Sequence, residues 1–233
     1  FAEAENSNGL LKVLIYLGCV MLFCNAPFLN NQKPYMILRC KRKGWYLGEN
    51  MYLWLAAFLY MLFISLISLI AVLPTVSTNR LWGEIAGDFV VNQRSLIRVY
   101  TWGLVMPVRV IQNYYPLAAF IYTFITGWLS IVFIGKLMYL LNLKIGKKTI
   151  GISAAVFFIM LDPVAVYFTN FKQYGLFYIS PINWSSLENI NTVSGYPHLS
   201  GEYMFIMYVI LIGVESLLSY ICSIKMDIEV KMI

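Results

Sequence analysis

The chain has 233 residues, 60% of them hydrophobic and only 12% charged, and its mean hydropathy is +0.71. Soluble domains carry charge on about a quarter of their residues, so a soluble class is excluded; at about 20 apolar residues per span the length suits roughly five membrane spans with short connections. Seventeen Lys and Arg against eleven Asp and Glu give +6, which in this composition reports membrane topology rather than nucleic-acid binding. Cys19, Cys24, Cys40 and Cys222 show no paired spacing and His198 stands alone, so neither a disulfide framework nor a metal centre is supported.

After nine polar and acidic residues, a first span is expected at about 10–29. Its apolar body, Val13 to Leu29, reaches span length with Leu10, Leu11 and a snorkelling Lys12. Residues 30–50 form a basic connection with Lys33, Arg39, Lys41, Arg42 and Lys43 against Glu49 alone. Its core, Tyr35 to Tyr46, is predicted as a short amphipathic helix with Arg39, Arg42 and Lys43 on one flank and Tyr35, Leu38 and Trp45 toward the membrane. Anionic lipid headgroups or a cytoplasmic partner both suit such a flank.

The second span, 51–73, is free of charge and stops at Pro74. Residues 74–116 are mixed, and their apolar piece Val99 to Val108 is too short to cross, so an interfacial helix is predicted. Arg94 and Arg98, four apart, would share a helical face and meet phosphate headgroups, Glu84 or Asp88, or an anionic substrate. A third span, 117–135, leads into a loop with Lys136, Lys144, Lys147 and Lys148. The fourth, 150–171, is expected to break at Asp162 and Pro163. A polar, aromatic segment, 172–202, precedes the fifth span, 203–224, which carries Glu215.

Counting bases orients the bundle. The connections after spans one and three and the tail hold five, four and two bases; the other side has four in the middle region, one at Lys172 and Lys12. The richer side is cytoplasmic by the positive-inside rule, which puts the chain start outside and the C-terminus in the cytoplasm of a multi-pass cell-membrane protein. An external start implies a preceding span or a precursor that was cleaved, so six spans are expected in the first case, five of them within this single transmembrane domain, 1–233.

Few positions can carry chemistry. Gly146, Lys147, Lys148 and Thr149 look like part of a phosphate loop, but the glycine required five positions earlier is Leu141 and the context is a helix end; ATP would have to bind another subunit. Asp162 and Glu215 each lie about 18 Å into their spans, and intramembrane acids are functional candidates by default; a protonated acid bonded to a neighbouring helix, or for Asp162 a cap on the broken backbone, is the structural alternative. Asn183, Trp184 and Ser185 match a glycosylation acceptor. Tyr174, Phe177, Tyr178 and Trp184 suit an interfacial aromatic belt. Gly151 with Ala155, and Ser219 with Ser223, permit close helix contact. No motif for a hydrolase or group-transfer site occurs.

An inward helix, the basic stretch PYMILRCKRKGWYLGE leading into a long apolar span, WGE after it, a broken span, an SPINW segment and a last helix together resemble ABC type-2 transporter permeases. The likeness is greatest to small Gram-positive bacterial exporters of peptide antibiotics or bacteriocins. The resemblance implies that Arg39, Lys41, Arg42, Lys43 and Trp45 form the element that couples to a cytoplasmic cassette ATPase, which would hold ATP and Mg while this chain needs no cofactor. It also implies a second permease subunit, identical or a sister, contacts with membrane lipids but not nucleic acid, and short re-entrant helices at the external face over Tyr174 to Pro197, with Trp184 among them. The expected function is export of a peptide, antibiotic or lipid-like compound. Two other classes remain open on the residues: an ion-coupled carrier, channel or assembly subunit in which Glu215 titrates, and a membrane-embedded modifying enzyme using Asp162, Glu215 or His198.

Overall fold

The computed structural model describes residues 2–28, 33–72, 110, 113–169, 175–187 and 199–225, and these form an all-helical bundle. In chain order the helices are α1 (Ala2–Phe23), α2 (Lys33–Val72), α3 (Pro116–Ile145), α4 (Lys148–Thr169), the short α5 (Gly175–Ile179) and α6 (Gly201–Lys225), with a 3₁₀ turn at Asn183–Ser185 before α6. Four stretches are long and apolar enough to cross a membrane: Ile37–Ile70, Pro116–Ile145, Lys148–Ala165 and Gly201–Lys225. The first predicted span is a helix, but its apolar part, Leu11–Phe23, is shorter than a full crossing.

Helix α3 is the centre of the bundle and packs against α1, α2, α4 and α6. Pro116 opens it, where a missing N–H costs nothing. Gly146 closes it with φ 75°, a left-handed cap whose N–H donates to the Asn142 carbonyl at 2.9 Å. Its interior is cut back at Gly127, against Met61, and at Gly135, where the Phe23 ring lies 3.1 Å from where a Cβ would sit. Small residues at these places let the neighbouring helices come close, the main source of helix association in hydrocarbon. By contrast α2 and α6 turn exposed Leu55, Leu59 and Phe63, and Val209, Leu217 and Ile221, outward, as lipid-facing helices do.

Two expectations about helix ends are corrected here. The predicted loop beginning at Lys136 is helical as far as Ile145, because Leu137, Met138, Leu140 and Leu143 continue an apolar face that only Asn142 interrupts. The connection to α4 is then just the Gly146 turn. Nor is α4 broken: it runs unbroken through Pro163, so Asp162 does not cap a break. Membrane helices tolerate such a proline because surrounding elements re-satisfy the freed carbonyl.

The chain alternates direction, and this gathers the ends of five helices, α1, α2, α3, α4 and α6. The Asn142 amide donates to the Ala26 carbonyl at 2.6 Å, and its Oδ1 accepts the Gly151 N–H at 3.0 Å; Lys148 reaches Asn25, and Arg42 donates to the Ile224 carbonyl. One end of the bundle therefore carries exposed Arg39, Lys41, Lys43, Lys144, Lys147, Lys148 and Lys225. Lys136, predicted among those loop bases, is instead buried inside the bundle.

Gly151 is where α3 and α4 touch, since a Cβ there would sit 2.9 Å from the Met138 carbonyl oxygen and closer still to the Asn142 side chain. Gly151→Leu should therefore force the helices apart and destabilise the fold by about 1–3 kcal/mol, read as a lowered unfolding midpoint in detergent. An unchanged midpoint would mean that this contact does not hold the hairpin.

Candidate functional site

Two buried polar clusters lie on the axis of the bundle. The first joins α1, α3, α4 and the segment following α5. Lys12 Nζ lies 2.9 Å from Asp162 Oδ1 and 2.8 Å from Ser186 Oγ. One turn on, the Tyr16 hydroxyl lies 2.5 Å from Ser130 Oγ and 3.0 Å from Ser185 Oγ. Ser130 gives its proton to Gly127 and Ser185 to Ile182, so each hydroxyl in the cluster has a partner. Asp162, expected as a functional intramembrane acid, a protonated acid bonded to a neighbouring helix or a backbone cap, is thus half of an ion pair, and Lys12 does not snorkel outward but turns inward.

The segment 175–187 is packed into this cluster rather than laid across the end of the bundle. Trp184 is 1% exposed and donates its indole N–H to the Phe177 carbonyl at 2.7 Å. The Tyr208 hydroxyl donates to Pro181 at 2.6 Å, and the Tyr208 ring meets Trp184 edge-on at 5.3 Å. Ser130, which this segment reaches through Tyr16, is about 21 Å along α3 from Pro116. Two expectations fall here. Trp184 and Phe177 are core residues, not members of an interfacial belt. Asn183 is fully buried, which removes it as a glycosylation acceptor.

The second cluster joins α2, α3 and α6, about 9 Å further along α3. Lys136 is 4% exposed; its Nζ donates to Ser216 Oγ at 2.5 Å and sits 5.7 Å from the Trp54 ring centre. Glu215, 6% exposed, is within Coulombic range of Lys136, yet its Oε2 has no hydrogen-bond partner among the described residues. Tyr46 donates to the Ser216 carbonyl at 2.8 Å and lies 3.3 Å from Ser219 Oγ. Ser219 and Ser223 are buried, in keeping with their expected packing role. Between the clusters stand Ile131, Ile134 and Ile212, all buried.

The basic residues divide in two. Arg39, Lys41 and Lys43 are exposed, whereas Trp45 is 7% exposed and belongs to the core, and Arg42 is occupied at the end of α6. Of the residues expected toward the membrane, Trp45 turns into the core instead, while Leu38 is 81% exposed. The predicted short helix, Tyr35 to Tyr46, is not one piece: α2 kinks at Lys41, which leaves Arg39 on a short first helix and Arg42, Lys43 and Trp45 on the long spanning part. The Lys41 backbone has φ 60° and ψ 166°. That region suits glycine and costs other residues on the order of 1–3 kcal/mol. Arg94, Arg98 and His198 lie outside the described residues, as do the predicted interfacial helix and the middle region around it.

Sequence reasoning did not single out Tyr16, Lys136 or Asn142. Lys136 was hidden by the assumption that a lysine ends a span. The uncharged run after it, Leu137 to Leu143, was the available signal. Among the described residues no group of His, Cys, Asp and Glu could hold a metal ion.

The helices and their internal polar clusters define a multi-pass helical membrane protein. No protein-family model matches the chain, nor does any curated protein or solved structure.

The Lys12 and Asp162 pair should behave as a unit. Removing one partner of a buried pair costs up to about 3–5 kcal/mol, less here because the Lys12 side chain is 19% exposed. Lys12→Met and Asp162→Leu are each expected to lower stability, and the double variant to lose less than the two losses added. Additive losses in a double-mutant cycle would dissolve the pair. Independently, Lys41→Gly should raise stability by about 1 kcal/mol, measured by unfolding in mixed micelles.

Proposed function

We propose that this chain is the permease subunit of an ATP-driven ABC type-2 exporter that moves a peptide, antibiotic or lipid-like compound out of a bacterial cell. The observation that carries the reading is the basic start of α2, with exposed Arg39, Lys41 and Lys43, set at the end of the bundle where α1, α3, α4 and α6 also terminate or begin. Its short first helix, which carries Arg39, meets the spanning part at the strained Lys41 joint, and Arg42, just past the joint, ties that junction to the last helix. A push on that short helix has two mechanical outlets, the long body of α2 and the C-terminal turn of α6.

In this reading the basic end is cytoplasmic and meets a cassette ATPase that holds ATP and Mg. A second permease subunit completes the path, and segment 175–187 is a re-entrant plug near the external face. ATPase closure moves the short helix, and the packed bundle rocks as rigid bodies. Trp45 transmits the motion from the core side, since it is buried beside Tyr46, which hydrogen-bonds α6.

Charge reversal at Arg39 and Lys43 (Arg39→Glu with Lys43→Glu) is expected to abolish stimulated ATPase activity and co-purification of the ATPase, with membrane insertion intact. Both side chains are exposed, so the fold should tolerate the change, unlike replacement of Arg42. Retained ATPase coupling in the double variant would overturn the assignment.

A further inference from the structure

We propose that Glu215 is a proton-binding site in the interior of the bundle, reached from the basic end. The carboxyl is 6% exposed, and its Oε2 has no hydrogen-bond partner among the described residues. An ionised carboxylate is acceptor-only and in an apolar interior needs donors for its oxygens. Lys136, the cation that acts on it, does not supply one: the ammonium is committed to Ser216 Oγ and the Trp54 ring. The other intramembrane acid, Asp162, is by contrast in an ion pair with Lys12. Asp162 thus has a built-in counter-charge, and Glu215 has a charge nearby without a bond to it.

A proton is the ligand that fits. It needs no cavity, and it turns the carboxylate into a group with a donor of its own. A metal cation would have to sit beside the Lys136 ammonium. The titratable groups on the helices packed around this part of α6 are Lys136 and Tyr139 from α3 and Tyr46 and Glu49 from α2. Tyr139 is within electrostatic range of both Tyr46 and Glu49, and its hydroxyl, buried, has no hydrogen-bond partner among the described residues. These groups lie on the side of Glu215 toward the basic end. On the other side, toward Tyr16 and Ser130, the buried residues of α3 and α6 include the apolar Ile131, Ile134 and Ile212, so the basic end, where the titratable groups lie, is the side from which the proton comes. Uptake neutralises the charge that faces Lys136 across the seam between α3 and α6, and in this way links proton occupancy to how those two helices attract each other. The inference does not depend on an ATPase.

Infrared difference spectroscopy of the full chain in lipid nanodiscs, between about pH 4 and about pH 10, tests it. A weakly hydrogen-bonded protonated carboxyl absorbs at the high-frequency edge of the carbonyl region, apart from surface carboxyls. Such a band should grow on acidification, be lost in Glu215→Gln, and return at a shifted position in Glu215→Asp. If Glu215→Gln fails to fold, the shift in Glu215→Asp carries the assignment. No such band across the whole range, or a band that neither variant changes, would overturn the proposal.

Discussion

Hydrocarbon offers no hydrogen bonds, so every polar group carried into the membrane must find its partner within the protein. In this bundle the contact that answers that constraint most fully is Lys12 with Asp162 at 2.9 Å. It ties a helix whose apolar part is short for a crossing to the middle of α4, and Ser186 adds the segment after α5 to the same ammonium. Tyr16, one turn on, repeats the connection through Ser130 and Ser185. Without these bonds α1 would have little to hold it beyond its apolar packing on α3 and α4, and the inserted segment would bring unmet backbone groups into the core. The same rule is met locally where Thr126 and Ser216 return their protons to carbonyls a turn earlier, on Tyr122 and Ile212.

The two polar clusters differ in how completely they are satisfied, and that difference bears on what each can do. The Lys12 cluster is closed: opposite charges are paired and the hydroxyls are bonded, so it serves as a fixed joint. The Glu215 cluster is open, with a cation and an acid near each other on facing helices but engaged elsewhere or not at all. An incompletely satisfied buried network is costly, and such a cost is retained in proteins mostly where a site changes state. The buried isoleucines between them keep the two kinds of site separate, so a change at one is felt at the other through helix movement.

Much of the architecture was readable in the residues because lipid makes composition decisive. Long apolar runs such as Met51 to Val72, which has no charge, and Tyr203 to Ile224, which has Glu215 alone, could hardly be anything except spanning helices, and those helices are present. The boundaries were harder. Lys136 and Pro163 are conventional stop signals, and both sit inside helices, since a lysine can turn to Ser216 and an aromatic ring, and a proline can be accommodated by its neighbours. Aromatic residues misled for a related reason. Trp184 has the amphipathic character of a membrane-surface residue, but its indole N–H is satisfied by Phe177 within its own segment, which allows full burial.

The sequence by itself determined the class of the protein, four of the five expected spans as long apolar helices, the concentration of bases at one end and the candidacy of Asp162 and Glu215, because each of these depends only on transfer between water and hydrocarbon. The tertiary structure decided which acid has a counter-charge and which does not, that Lys12 faces inward, that Arg42 and Trp45 are engaged while Arg39 and Lys43 are free to meet a partner, and that segment 175–187 is packed inside. These are facts of pairing between residues as far as 182 positions apart, and pairing at such distances is set by how helices pack, which periodicity and composition along one chain do not encode.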